Sequence, residues 1–179
     1  MKDQNTYWYI LFTRTGCEEK VKQLLINQLE SSTLVPFIPM LQTIFRYSGR
    51  TKKELKLLFP GYVFIESQLS NLEVIKITRN IISASKDIIR FLKYDDTCDI
   101  AMKEHERNML LRLCNDDRYI ESSEGIIVGS QVYIKEGPLK GLESIIRKID
   151  RHKRQAIIEL EFMGDVRRIT VALEIVEKV

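Results

Sequence analysis

Phe59-Pro60-Gly61-Tyr62-Val63 opens the most apolar segment of the chain, and its reading decides the fold. Leu57 to Ile65 is a short apolar run bounded by charge, the pattern of a central strand. Well upstream, Tyr7 to Thr13 carries Trp8-Tyr9-Ile10 and predicts a second buried strand, because aromatic and β-branched side chains suit a pleated surface. Far downstream, a Gly137-Pro138-Leu139 turn separates two valine- and isoleucine-rich segments. Taken singly, each is an ordinary core pattern.

Between the first two strands, Val21, Leu24, Leu25 and Leu29 recur at helical spacing among charged residues. They predict an amphipathic helix from Cys17 to near Ser31-Ser32. Pro36 and Pro39 exclude helix from the next stretch, so Val35 to Ile38 and Leu41 to Tyr47 read as extended. Gly49 to Glu54 reads as a polar, basic hairpin tip. A second helix is expected over Leu69 to Thr78, a short strand over Ile88 to Leu92, and a third helix from Ile100 to Cys114. Asn115 to Gly125 turns polar, a composition that favours turns and solvated backbone.

The tail alternates strand and turn at short intervals: Gln131 to Lys135, Glu143 to Asp150, Gln155 to Phe162, Arg167 to Val171, and a last strand near Ile175. Five short strands in so few residues predict a small closed barrel. The fold class is therefore α+β. An N-terminal antiparallel sheet flanked by helices (1–114) is joined by a linker (115–124) to a five-stranded β-barrel (125–179).

Composition narrows the function classes. The 179 residues are 44% hydrophobic, ordinary for a globular chain, and 28 basic against 25 acidic residues leave a net charge of +3. That excess is too mild to imply nucleic acid unless the cations cluster. No apolar run approaches the ~18 residues of a membrane span, and Met1 to Thr6 lacks an apolar secretory region. Cys17, Cys98 and Cys114, odd in number and widely spaced, predict free thiols in a reducing cytoplasm. His105 and His152 have no partner at zinc-like spacing. There is no phosphate-binding glycine loop, no dinucleotide turn and no nucleophile elbow. Cys17 sits where a helix N-terminus stabilises a thiolate, but no base lies near it in sequence. Neither an enzyme nor a cofactor or metal site is expected.

In order and spacing, Trp8-Tyr9-Ile10, Phe59-Pro60-Gly61-Tyr62-Val63 and Gly129 to Asp150 resemble the NusG family of transcription elongation factors. The last of these is similar to that family's KOW motif, which forms an SH3-like barrel. Two departures stand out. Ser144 replaces a usual glycine, and Met163-Gly164 replaces a Phe-Gly near the later barrel turn, followed by Asp165-Val166-Arg167-Arg168. They make the chain look like a specialised RfaH- or LoaP-like paralogue. The resemblance implies a cytoplasmic monomer that binds RNA polymerase through its N-terminal domain, without a membrane. It implies nucleic-acid binding by the KOW barrel and promotion of processive transcription of particular operons. The rival readings are a housekeeping NusG that couples polymerase to ribosome or termination factor, and a ribosome-associated KOW protein that binds structured RNA.

The candidate residues follow from the same comparison. Phe12, Phe59 and Tyr62 are assigned to a pocket for the polymerase clamp helices. Their plain alternative is core packing, the usual role of strand aromatics. Tyr9 and Phe12 lie three apart and cannot both face one side of a regular strand; Trp8 is read as core. Arg79, Lys86 and Arg90 are assigned to the non-template DNA strand, where they would touch phosphate. The basic run from Arg46 to Lys56 is either a solvated tip or a tongue toward upstream DNA. In the barrel, Arg147, Lys148, Arg151, Lys153 and Arg154 crowd one turn, and Arg167 and Arg168 occupy another. Lys135 and Lys140 flank the Gly-Pro turn. Together they are assigned to an RNA hairpin in a leader transcript, against the alternative of scattered loop charges balanced by Glu136, Asp150 and Asp165.

Overall fold

In the computed structural model, which describes residues 6–29, 33–47 and 49–178, the chain forms two compact units. Residues up to 38 and 59–107 make the first; 39–58 and 108–179 make the second.

The first unit is built on β1 (Tyr7–Thr13). It follows the chain through α1 (Glu18–Gln28) and β2 (Leu34–Phe37) to β5 (Tyr62–Ser67), α2 (Asn71–Ala84) and β6 (Ile88–Phe91), while β3 and β4 belong to the second unit. The four strands form an antiparallel sheet in the order β2-β5-β1-β6, with β1 central. Trp8, Tyr9, Ile10 and Leu11 are all buried, as are Val63, Phe64 and Ile65 opposite them, so both faces of this strand pair are covered. Val21 and Leu25 of α1 and Val74, Thr78 and Ile81 of α2 form the buried helical stripes.

Several boundaries differ from those expected. Phe59-Pro60-Gly61 is a turn, not the start of a strand. Gly61 has φ +88°, the left-handed region that glycine enters without cost, and the Tyr62 amide donates to the Phe59 carbonyl at 3.3 Å. The expected end of the first helix near Ser31-Ser32 lies outside the described residues; α1 closes at Leu29, whose amide donates to the Leu25 carbonyl. The second helix runs past Thr78 to Ala84, because Ile81 continues its buried stripe. Glu73 starts it by accepting the Ser70 amide at 2.9 Å, and the Ser70 bonds hold that carboxyl below its usual range. The third helix, α3 (Glu104–Leu113), begins later than expected. Residues before it stay extended, with the Met102 amide donating to the Trp8 carbonyl at 2.8 Å.

The second unit holds two sheets. In one, β3 (Met40–Tyr47) pairs with β4 (Arg50–Leu57) along its length and, in parallel, with β7 (Tyr119–Ile120). Gly49 to Glu54 is thus mostly strand: the alternating register carries Lys52 and Lys53 into the ladder opposite Phe45 and Ile44. The segment 115–124 contains a turn, in which the Asn115 side chain accepts the amides of Asp117 and Tyr119, then β7 and the start of β8.

The other sheet has five strands in the order β10-β11-β12-β8-β9. They are β8 (Ser123–Val128), β9 (Gln131–Glu136), β10 (Ile146–Asp150), β11 (Gln155–Phe162) and β12 (Asp165–Lys178). The two last strands expected from the sequence are one. β12 pairs with β11 over Asp165 to Ala172, then with β8 from Leu173 onward. Glu143–Ile145 is a 3-10 turn instead of strand, with the Glu143 carboxylate accepting the Ile134 amide. Ile158, Leu160, Phe162, Val171, Leu173 and Leu139 fill the core.

Candidate nucleic-acid and protein interface

The register of the first sheet sorts its side chains. Residues paired across an antiparallel ladder project to the same side. Trp8↔Glu66, Ile10↔Phe64 and Phe12↔Tyr62 therefore share one face, and Tyr9, Leu11, Val63 and Ile65 the other. The first face is aromatic. Trp8 meets Phe64 and Phe37 edge-on, its indole N–H donates to Glu66 Oε2 at 2.7 Å, and Phe59 stacks on Phe64 at 6.0 Å.

The three aromatics singled out from the sequence are not equivalent. Phe12 and Tyr62 lie side by side with ring centroids 5.5 Å apart, and both are half-buried. Phe59 is only 6% exposed and sits in the core of the turn. On its other side Phe12 pairs with Arg90, which is exposed and makes no ion pair among the described residues. Tyr62, Phe12 and Arg90 thus form one row across three strands. Arg79 is elsewhere. It is exposed on α2, and α2 begins on the Tyr9 side, where the Tyr9 hydroxyl donates to the Leu69 carbonyl at 2.6 Å. Burial, with Tyr7, Asp99 and Glu73 nearby, pushes that phenol up to about 12. Lys86 is exposed between α2 and β6.

A residue the sequence did not single out holds the turn in place. Glu18, the first residue of α1, is 3% exposed; Oε1 accepts the Gly61 amide at 2.6 Å and Oε2 the Gly16 amide at 2.8 Å. The Thr13 amide donates to the Gly61 carbonyl at 2.8 Å. The Phe59–Gly61 turn is thus tied to both helix and strand. The available sequence signal was an acid in the first helical turn beside Gly16, which by itself reads only as helix-dipole pairing.

In the second unit, Lys52 pairs with Glu54 at 2.6 Å, and Lys56 lies 4.8 Å from the Phe45 ring centroid. The barrel cations fall into two groups. Arg147 and Arg168 both reach Glu159, each Nε 3.2 Å from one carboxylate oxygen, and Arg154 reaches Glu174 at 3.2 Å. Arg167, Lys153 and Lys135 stand at looser distances of 3.7–3.9 Å from Asp165, Asp150 and Glu177. Lys140, Lys148 and Arg151 are exposed and make no ion pair among the described residues. The tight partners, Glu159 and Glu174, are not the carboxylates sequence proximity suggested, because they sit on strands far along the chain.

Arg168 first and Arg147 second hold the Glu159 carboxyl below its usual range. A lowered carboxyl stays charged above its unfolded pKa and releases its partners only as pH falls through the folded one. At neutral pH both arginines are therefore restrained through Nε, and Arg147 is held a second time by its Nη1, which donates to the Ser144 carbonyl at 2.8 Å. Glu159→Gln is expected to free the Arg168 guanidinium, loosen that of Arg147, which keeps its bond to the Ser144 carbonyl, and remove one repelling charge. Polyanion affinity should then rise about threefold, with a steeper fall in salt. Stability should change little, because both arginines of these pairs are solvent-exposed. Heparin-column elution and a thermal melt check both.

The family model described as "Transcription termination factor nusG" matches residues 6–111. Curated relatives match almost end to end. The Transcription termination/antitermination protein NusG of Buchnera aphidicola subsp. Acyrthosiphon pisum is 23% identical, covering 99% of this chain and 98% of the relative. That of Staphylococcus carnosus is 24% identical, covering 96% and 94%. Among solved structures, one titled "Domain interaction in Thermotoga maritima NusG" covers 95% of this chain and 94% of its own, with a TM-score of 0.53 at 24% identity.

Proposed function

Because this chain belongs to the NusG family, its family model spanning residues 6–111, we propose that it is a transcription termination/antitermination factor that works by binding, without catalysis. The first sheet binds an apolar helical element of RNA polymerase through Phe12 and Tyr62, with Phe59 supporting the turn from beneath. The observation that carries this is the half-buried, tilted Phe12–Tyr62 ring pair, side by side on adjacent strands at the end of the first sheet's aromatic face. Rigid aromatics of this kind supply contact area at little entropic cost.

Arg90, at the end of that row, Arg79 on α2 and Lys86 after that helix are assigned to non-template DNA phosphate. The barrel residues Lys135, Lys140, Arg147, Lys148, Arg151, Lys153, Arg154, Arg167 and Arg168 are assigned to an RNA hairpin. Two weak contacts on one chain reinforce each other through effective concentration. Processive antitermination of chosen operons is the specialised form of this role. The housekeeping form, coupling polymerase to ribosome or termination factor, has its own support: relatives aligned over nearly the full length are named transcription termination/antitermination protein NusG.

The test is a polymerase pull-down with a Phe12→Ala/Tyr62→Ala double variant, its fold checked by circular dichroism. Neither ring is fully buried, so the variant should fold and bind at least roughly thirtyfold more weakly, ~2 kcal/mol being the mark of an aromatic hot spot. Wild-type binding by the folded double variant would remove the pocket from this sheet.

A further inference from the structure

The Phe12–Tyr62 pair ends in a cation. β1 stands between β5 and β6, and on it Phe12 is paired with Tyr62 on one side and with Arg90 on the other. Partners across an antiparallel ladder project to the same side, so the order across the sheet is ring, ring, guanidinium. Arg90 is exposed and makes no ion pair among the described residues. Carboxylates around the same sheet are engaged elsewhere. Glu66 accepts the Trp8 indole N–H at 2.7 Å, Asp87 holds Lys20 at 2.6 Å, and Glu18 accepts the Gly16 and Gly61 amides. An arginine at the rim of an apolar contact, with no acid of its own, is complemented by an acid on the partner that covers the rings.

The strand spacing fixes how such a partner lies. Neighbouring strands are about 4.8 Å apart, so the backbones at Tyr62, Phe12 and Arg90 stand at roughly 0, 5 and 10 Å along a line across the strands. A helix rises about 1.5 Å per residue, so positions i, i+3 or i+4, and i+7 follow one face at roughly 0, 5 and 10 Å. The two series match when the helix axis runs across the strands.

We propose that the helical element covering Phe12 and Tyr62 crosses the strands and presents two apolar residues one turn apart, with a carboxylate a further turn along that pairs with Arg90. This rests on the reading that the sheet binds a helix of RNA polymerase. It moves Arg90 from DNA phosphate to that helix and leaves Arg79 and Lys86 for the DNA. Arginine suits the role because its planar fork meets a carboxylate with two parallel N–H···O bonds. A cation in the carboxylate's place is rejected by like charge, so Arg90 also sets which end of the helix lies over β6.

Binding of the full chain to core RNA polymerase is measured by biolayer interferometry, on polymerase stripped of nucleic acid and on polymerase holding an open DNA bubble. On the stripped enzyme, Arg90→Gln should bind roughly tenfold more weakly than wild type, the loss of one charge-assisted contact. That deficit should narrow as salt rises. Lys93→Gln removes the same charge at an exposed position past the end of β6 and should stay within about twofold of wild type. Wild-type affinity of Arg90→Gln for stripped polymerase overturns the carboxylate contact; weakening on the bubble alone would return Arg90 to DNA. Equal weakening by Arg90→Gln and Lys93→Gln also overturns it, because overall charge alone is then sensed. In both cases a Phe12→Ala/Tyr62→Ala variant that loses polymerase leaves the aromatic pocket standing. If that double variant binds as wild type, the pocket falls and the Arg90 contact with it.

Discussion

Replacing Gly137 by alanine is expected to destabilise the second unit by about 2–5 kcal/mol, combining overpacking with a left-handed backbone penalty. The added Cβ would lie 2.6 Å from the Ser123 Cα and 2.7 Å from both the Ser122 carbonyl and the Ser123 hydroxyl oxygen. Two of those neighbours are backbone, which cannot rotate away. The residue also holds φ +98°, which an L side chain rarely adopts. The Gly-Pro turn is pressed this closely because it closes a buried hydrogen bond. The Leu139 amide donates to the Ser123 hydroxyl at 3.1 Å, and Leu139 and Ser123 are 0% and 1% exposed. Shifting the turn outward would relieve the clash and break that bond. Ser123→Ala is the milder companion, leaving the Leu139 amide unpaired at about 1–3 kcal/mol. Chemical denaturation of the full chain, followed by far-ultraviolet circular dichroism, should show Gly137→Ala losing more than Ser123→Ala. The reverse order would mean that the turn is free to move.

Glu18→Ala is expected to cost the first unit about 3 kcal/mol, because hydrogen bonds to a carboxylate are worth ~1.5–3 kcal/mol each when both partners are fixed. Two backbone amides lose their acceptor, and one of them, Gly61, is buried. Glu18→Gln keeps one carbonyl oxygen and should lose about half as much. Denaturation midpoints followed by Trp8 fluorescence order the three proteins. A second consequence is local. With Gly61 released, the Phe59–Tyr62 turn loses its tie to α1, and Tyr62 is held less firmly beside Phe12. Partner binding by Glu18→Gln should fall even where the protein is fully folded. Unchanged stability for Glu18→Ala would show that water replaces the carboxylate without loss.

How much of this was legible beforehand depends on the range of the cause. The strand at Tyr7 to Thr13, the helix after Cys17 and the strand at Ile88 follow from apolar periodicity, a property of neighbours in sequence. Phe59-Pro60-Gly61 has the apolar composition that predicts a strand. It is a turn because Glu18, forty-three residues away, supplies an acceptor to Gly61. Gly49 to Glu54 was read as a tip because it is charged. It is strand because β3 offers a partner along its whole length.

The chain by itself determined its class, α+β with a strand-rich tail, a family resemblance carried by Trp8-Tyr9-Ile10 and Phe59 to Val63, and a set of cations in that tail. Local composition and hydrophobic pattern suffice for these. Only the tertiary structure decided which groups meet. It placed Phe12 between Tyr62 and Arg90, stacked Phe59 on Phe64, joined Arg147 and Arg168 through Glu159, and paired Arg154 with Glu174. Register across paired strands brings together residues that sequence distance keeps apart, and a shift of one residue would turn each side chain to the opposite face.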